Sequence, residues 1–219
     1  MRIKIVQVGE LEENCYIVEK NNKCLIIDPG SEFNKIKENI DKEVIGILTT
    51  HSHYDHFSPD DIKAVSKETT VIITTTDCTS DISKTGICEE NTYYVKPYDE
   101  FDYQGINIKA IPAYNKYKEF HPKEREWVGY IITIDGTKYY VAGDTDKTKE
   151  TCSVECDVAF LPVGGTYTMN YIEAAALAEK IDPKYAIPTH YGLIVGEPED
   201  GQLFKELLDG SGIKCEVYY

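Results

Sequence analysis

The stretch Val44-Ile45-Gly46-Ile47-Leu48-Thr49-Thr50-His51-Ser52-His53-Tyr54-Asp55-His56-Phe57 decides how the chain is read. It begins as an apolar run rich in β-branched residues and stops at a cluster of imidazoles and one carboxylate. A short run of this kind predicts a buried strand. Ser58-Pro59-Asp60-Asp61 follows: an N-cap residue, a proline suited to the first helical position, and an acid three residues after the cap. A helix is therefore expected from there through about Ser66. The polar cluster falls in the loop between a strand's C-terminal end and a helix, where α/β sheets place ligands and reacting groups.

Three of the five histidines in the chain lie within these six residues. In extended backbone, side chains two apart point the same way, so His51 and His53 suit one ion. Asp55 and His56 lie one step further round and suit a second. Imidazole and carboxylate are good ligands for zinc and similar divalent metals, at about 2.0–2.2 Å. A polar turn of solvated histidines is the alternative, but it gives no reason for such a cluster to close a buried strand.

Outward from this stretch, the pattern is strand-rich. Strands are expected at 2–7, 14–18 and 24–27, with a hairpin turn over 19–23. Phe33, Ile36 and Ile40 mark one helical face within 31–43. Strands follow at 71–73, 92–95 and 106–111, while 75–91 shows no usable period. Residues 127–134 and 138–142 form a hairpin around Asp135-Gly136. A buried strand at 157–161 leads into Pro162-Val163-Gly164-Gly165. Asn170 and Glu173 cap a helix running to about Ile181, and Tyr185-Ala186-Ile187 is a short strand closing on Pro188-Thr189-His190. A last helix over 199–209 shows Leu203, Phe204, Leu207 and Leu208 on one face, and 213–219 alternates like a terminal strand. By composition and order alone the class is α/β or α+β, in a single domain of 219 residues without linkers.

The formal net charge is −15 and the pI about 4.7, which disfavours a nucleic-acid surface. Seven dispersed cysteines without a Cys-x-x-Cys pair, and no signal peptide, point away from a disulfide framework and toward a reducing cytoplasm. Cys15, Cys24 and Cys215 read as core thiols. No apolar run approaches the roughly 18–20 residues that span a bilayer.

The cluster His51-Ser-His53-Tyr-Asp55-His56 resembles the signature of the metallo-β-lactamase superfamily of metal-dependent hydrolases. His190-Tyr191-Gly192 and Gly164-Gly165-Thr166-Tyr167-Thr168-Met169 resemble its branch related to ascorbate-6-phosphate lactonases. The resemblance runs from Asn14 to His190. It implies an α+β fold, the αββα four-layer sandwich of two mixed β-sheets packed face to face with helices outside. It also implies two divalent cations, zinc foremost, and activated water attacking a small ester, lactone or phosphodiester substrate. Asp144, after the strand ending Val141-Ala142-Gly143, matches the carboxylate that bridges both metals, and His190 matches the last histidine ligand. Asp55 and Asp144 would position metal and nucleophile. Asp28, in Asp28-Pro29-Gly30, would support the site through hydrogen bonds, with Asn14 beside it; Asp-Pro-Gly is also a good turn in its own right.

One position departs from the family. A histidine is expected after the 106–111 strand, where this chain has Ile111-Pro112-Ala113-Tyr114-Asn115. Asn115 would be a weaker donor to zinc, and would open the first site to manganese or nickel. His121, six residues on, is a replacement ligand, a proton donor, a substrate contact or a surface histidine. Tyr114, Tyr117 and Trp127 are either substrate contacts or ordinary packing. Lys116, Lys118, Lys123 and Arg125 would suit a phosphorylated small molecule. The competing functions are a nuclease or phosphodiesterase, and a non-catalytic metal-binding protein on the same scaffold.

Overall fold

The computed structural model describes residues 3–219, which divide into two compact units, Met1–Val95 and Lys96–Tyr219. In the first unit, β1 (Ile3–Val8), β2 (Glu13–Lys20) and β3 (Lys23–Ile27) lead to α1 (Phe33–Glu38) and β4 (Glu43–Leu48). Then come α2 (Pro59–Val65), β5 (Val71–Thr74), α3 (Thr79–Thr85) and β6 (Thr92–Tyr94). They form one six-stranded mixed sheet in the order β1-β2-β3-β4-β5-β6. β1, β2 and β3 pair antiparallel, and β3 through β6 pair in parallel. The strand expected from Arg2 begins at Ile3; Arg2 lies outside the described residues.

The local chemistry explains these elements. The turn between β2 and β3 is only Asn21-Asn22, with Asn21 at φ 55, a conformation asparagine tolerates. Ser58 caps α2 by accepting from the Asp61 N–H, with Pro59 at the first helical position. Ile36, Ile62 and Ile82, one from each helix, pack with Ile17, Ile26, Ile47 and Ile72 of the strands. β4 is buried from Val44 to Leu48, so both its faces are covered. The segment 75–91, without a readable period, is a 3-10 turn, the short α3 stopped by Gly86 at φ 76, and a second 3-10 turn.

The second unit contains β7 (Glu100–Tyr103), β8 (Ile106–Pro112), β9 (Val128–Ile134), β10 (Thr137–Val141) and β11 (Val158–Pro162). These are followed by α4 (Tyr171–Ile181), β12 (Tyr185–Thr189), α5 (Asp200–Leu207) and β13 (Lys214–Cys215). Its seven-stranded mixed sheet has the order β13-β12-β11-β10-β9-β8-β7. The β9–β10 hairpin turns at Asp135-Gly136, both at positive φ. Asn170 and Glu173 form a full capping box on α4. Ala174, Leu177 and Ala178 of α4 and Phe204 of α5 pack on Tyr140, Ala159, Leu161 and Ala186 of the sheet.

Three expectations need correction. β7 is an additional edge strand. Leu207 of α5 is 46% exposed, so the apolar face rests on Phe204 and Leu208. The terminal strand pairs only at Lys214 and Cys215. The reason is Pro188: Glu216 donates to the Ala186 carbonyl, and the next rung toward β13 would need an N–H at residue 188, which proline lacks.

In each sheet the parallel strands bring their C-terminal ends to one edge. Asp28 and the 49–56 loop follow β3 and β4; Asp144 and His190 follow β10 and β12. Gly30 lets the β3 loop approach the histidine loop: a Cβ there would lie 1.5 Å from the Asp55 carbonyl oxygen. Gly30→Ala is expected to cost about 3 kcal/mol or more, as forced overpacking against backbone does. Gly136→Ala, at φ 81 with open space around it, should cost only about 1 kcal/mol. Thermal melts compare the two, and equal losses would contradict the close approach.

Candidate metal centre

In the first unit the histidine loop is built on a buried carboxylate. Asp28 accepts at Oδ1 from the Thr50 N–H at 2.7 Å and at Oδ2 from the Thr50 hydroxyl at 2.8 Å. The same Oδ2 lies 2.9 Å from His56 Nδ1, so His56 donates from Nδ1 and presents the lone pair of Nε2. With its proton given to Asp28, the Thr50 oxygen accepts from His51 Nδ1 at 2.9 Å. That fixes His51 in the same tautomer, again with the lone pair on Nε2. These tautomers are assigned from the bonding network. Glu13 Oε1, also buried, stands 3.6 Å from His56 Nδ1. Glu13, Asp28 and His56 make one compact acid–imidazole group.

The ring nitrogens of His51 (Nε2) and His53 (Nδ1) are 3.1 Å apart. His56 Nε2 and Asp55 Oδ2 are 3.5 Å apart. Ligand atoms about 2.0–2.2 Å from one cation sit roughly 3.0 Å apart in an octahedron and 3.4 Å apart in a tetrahedron. Both spacings fit shared coordination. The turn is closed by the His56 and Phe57 N–H groups donating to the His53 carbonyl, and Ser52 is tied to Asp77. Burial, then the charges of Glu13, Asp28 and Asp61, push the Cys15 thiol well above the usual range.

In the second unit, Asp144 Oδ2 faces two imidazoles. His121 Nε2 is 3.0 Å from it and His190 Nε2 is 3.4 Å from it. All three side chains are buried. Sequence reading left His121 open; the structure sets it beside Asp144. Asn115 does something else. Its side-chain nitrogen donates to the carbonyls of Phe120 at 2.8 Å and Tyr167 at 2.6 Å, and its backbone N–H donates to the His121 carbonyl at 2.8 Å. Asn115 therefore shapes the loop that delivers His121. Trp127 is buried with its ring 5.4 Å from that of His121, a backing rather than an exposed contact. Asp28, His121 and His190 have φ of 51, 58 and 56, the left-handed region that non-glycine residues seldom occupy and that gathers at functional sites.

Several supporting residues were not expected from sequence. Thr50 is the hub between Asp28, His51 and His56, yet the sequence shows only a threonine ending a strand. Glu13 stands next to Glu12 with no motif to mark it. The Thr145 hydroxyl accepts from the Tyr114 N–H at 3.1 Å, and Asp146 accepts from the Lys116 N–H at 2.9 Å and pairs with Lys118. The Tyr114 hydroxyl donates to Glu150 at 2.7 Å. Burial, then that acceptor, raises the Tyr114 hydroxyl's pKa. Burial would also raise Glu150, but hydrogen bonds from Tyr114, its own backbone and Lys123 bring it below its ordinary value. Together these contacts fasten the loop carrying His121 to the loop carrying Asp144.

Among the described residues, no helix is long and apolar enough to cross a membrane. A protein named a metal-dependent hydrolase in Thermoplasma volcanium is 32% identical, over 97% of this chain and 94% of its own length. A crystallised Parabacteroides distasonis protein, provisionally named a metal-dependent hydrolase, superposes with a TM-score of 0.79 at 30% identity, over 98% of this chain and 92% of that one. The metallo hydrolase Igni18 of Ignicoccus hospitalis shares the fold with a TM-score of 0.77 at 22% identity, over 99% of this chain and 94% of that one. The family model described as the β-lactamase superfamily domain matches residues 7–190, the span that holds every residue of both clusters. The chain belongs to the metallo-β-lactamase superfamily.

Proposed function

We propose that this protein is a single-domain metal-dependent hydrolase of a small ester, lactone or phosphodiester. His51, His53, Asp55, His56, Asp144 and His190 hold two divalent cations, zinc foremost. His51 and His53 would serve one cation and Asp55 and His56 another, with Asp144 and His190 as the further ligands. His121 takes the place of the histidine that the family pattern puts at Asn115. With imidazole in that place, the first site is nitrogen-rich and suits zinc better than an amide oxygen would.

The observation that carries this reading is the pair of imidazoles on a single oxygen of Asp144, at 3.0 and 3.4 Å, matched by the 3.1 Å pair of ring nitrogens at His51 and His53. Such spacings match the edges of a coordination shell. When bound, the cations supply Lewis acidity and a water that ionises near neutral pH. The chain supplies the rest. Asp28 and Thr50 hold His51 and His56 in the tautomers that present Nε2. A carboxylate that binds through one oxygen keeps the other to accept a hydrogen bond, so Asp55 and Asp144 orient the nucleophile. For an ester, water then adds to the carbonyl carbon, the C–O bond to the alcohol breaks, and the proton leaves with the products.

Zinc at about a hundred times its dissociation constant should stabilise the fold by about 2.7 kcal/mol, raising Tm by roughly 5–10 °C, and chelator should reverse it. His51→Ala with His53→Ala should reduce that shift and abolish the turnover of a generic lactone or phosphodiester while circular dichroism stays native. Unchanged turnover in the double variant would defeat the reading.

His121→Ala is expected to lower the zinc content, measured by elemental analysis, from two equivalents toward one. Asn115→Ala and Asp28→Asn should keep both ions but weaken affinity about 10–100-fold, as losing a group that orients a ligand does. Two tightly held ions in His121→Ala would remove His121 from the ligand set.

A further inference from the structure

Three loops of the second unit leave the same sheet edge around Asp144: 113–122, 163–170 and 190–196. The parallel strands β10, β11 and β12 put their ends there, and β8 runs the same way because it pairs antiparallel to β9, which pairs antiparallel to β10. The loops are packed on one another. Asn115 bonds to the carbonyls of both Phe120 and Tyr167. Gly164 lacks a side chain where the His190 carbonyl and Val195 press against it, at 2.5 Å from any Cβ.

Beside Lys116, Glu119 and Thr166, these loops expose four large hydrophobic residues, Tyr117, Phe120, Leu193 and Ile194. The rings of Phe120 and Tyr167 meet edge to face at 4.7 Å, and Phe120 remains 49% exposed. Just after His190, Gly192 N–H donates to the Val195 carbonyl and closes a tight turn whose tip is Leu193 and Ile194, 72% and 56% exposed. Turn tips ordinarily carry Gly, Asn, Asp or Ser. Two large aliphatic residues there do nothing for the turn, while buried Val195 already anchors it.

The cations that would greet a phosphate are engaged elsewhere. Lys118 is paired with Asp146, and Lys123 lies over the Tyr114 ring and against Glu150. Arg125 lies over Trp127, and Lys116 over Tyr117. A net charge of −15 adds a long-range penalty for a dianion.

We infer that the substrate carries an alkyl or aryl arm beside its scissile bond, which packs on Phe120, Tyr167, Leu193 and Ile194, and that it carries no phosphomonoester dianion. This rests on the hydrolase reading for the scissile bond, but the arm's recognition is measurable without turnover. Titration calorimetry of 4-phenylbutyrate and of acetate into the zinc-loaded full chain should give at least tenfold tighter binding of phenylbutyrate. Leu193→Ser with Ile194→Ser, at an exposed turn tip, should cut that preference below threefold, and Phe120→Ser should lower it independently. Equal affinities in the parent protein, or an undiminished preference in both variants, would overturn the inference.

In turnover, p-nitrophenyl esters from acetate to octanoate should gain about fourfold in kcat/KM per added methylene until the rim is filled. A flat profile, or faster cleavage of p-nitrophenyl phosphate, would equally overturn it. If phenylbutyrate is preferred but no ester or lactone is cleaved, the apolar rim stands and the hydrolase reading falls.

Discussion

The first unit's histidine loop depends on one carboxylate. Asp28 is buried at the end of β3, held in the left-handed region between a strand and Pro29-Gly30. A buried carboxylate costs several kcal/mol unless donors surround it. Here the donors are Thr50, through nitrogen and hydroxyl, and His56. Satisfying Asp28 therefore dictates where the next strand's loop must run and which nitrogen of each imidazole keeps its proton. The parallel pairing of β3 with β4 makes this possible, since the Asp28 N–H donates to the Leu48 carbonyl and aligns the two strand ends. The placement of both imidazoles follows from backbone pairing, with Asp28 as the link between the two.

The second unit reaches a similar result with different parts. Asp144 and His190 lie past strands that run parallel, so topology alone brings them to one edge. His121 does not share that advantage. It sits in a loop between antiparallel strands, and its place is set by hydrogen bonds from Asn115, the backing of Trp127 and the fastening of Tyr114 to Thr145 and Glu150. Removing any one of these leaves the imidazole intact and changes only where it points.

That contrast explains what sequence can reveal. The 51–56 cluster was legible because its groups are contiguous, follow a recognisable strand and precede a good helix cap. The caps at Ser58 and Asn170 and the turn at Asp135-Gly136 were legible because each is a local bond between near neighbours. His121 was not, because its position depends on partners at Asp144 and Tyr167, far along the chain. β7 was missed because Glu100-Phe101-Asp102-Tyr103 is short, charged and at an edge, and its tight turn uses Gln104-Gly105 at positive φ instead of a more telling Asn-Gly. The alternation over 213–219 misled because a strand needs a partner's donors, and Pro188 withholds one.

The departure at Asn115 changes more than the identity of a ligand. A histidine placed directly after β8 would reach a cation from a strand end and leave the following loop free to vary. Here the imidazole facing Asp144 comes from the ninth residue of that loop, so the loop must adopt one shape to deliver it, with His121 itself at φ 58. Phe120, the neighbour in sequence, is then fixed as well, because its carbonyl accepts from the same amide that steadies the loop. The residue that faces solvent at the rim and the residue that faces Asp144 are thus held by one hydrogen-bonded unit. A change that loosens Asn115 should disturb cation retention and recognition of an apolar arm together, whereas Leu193 and Ile194, on the far loop, act on recognition alone.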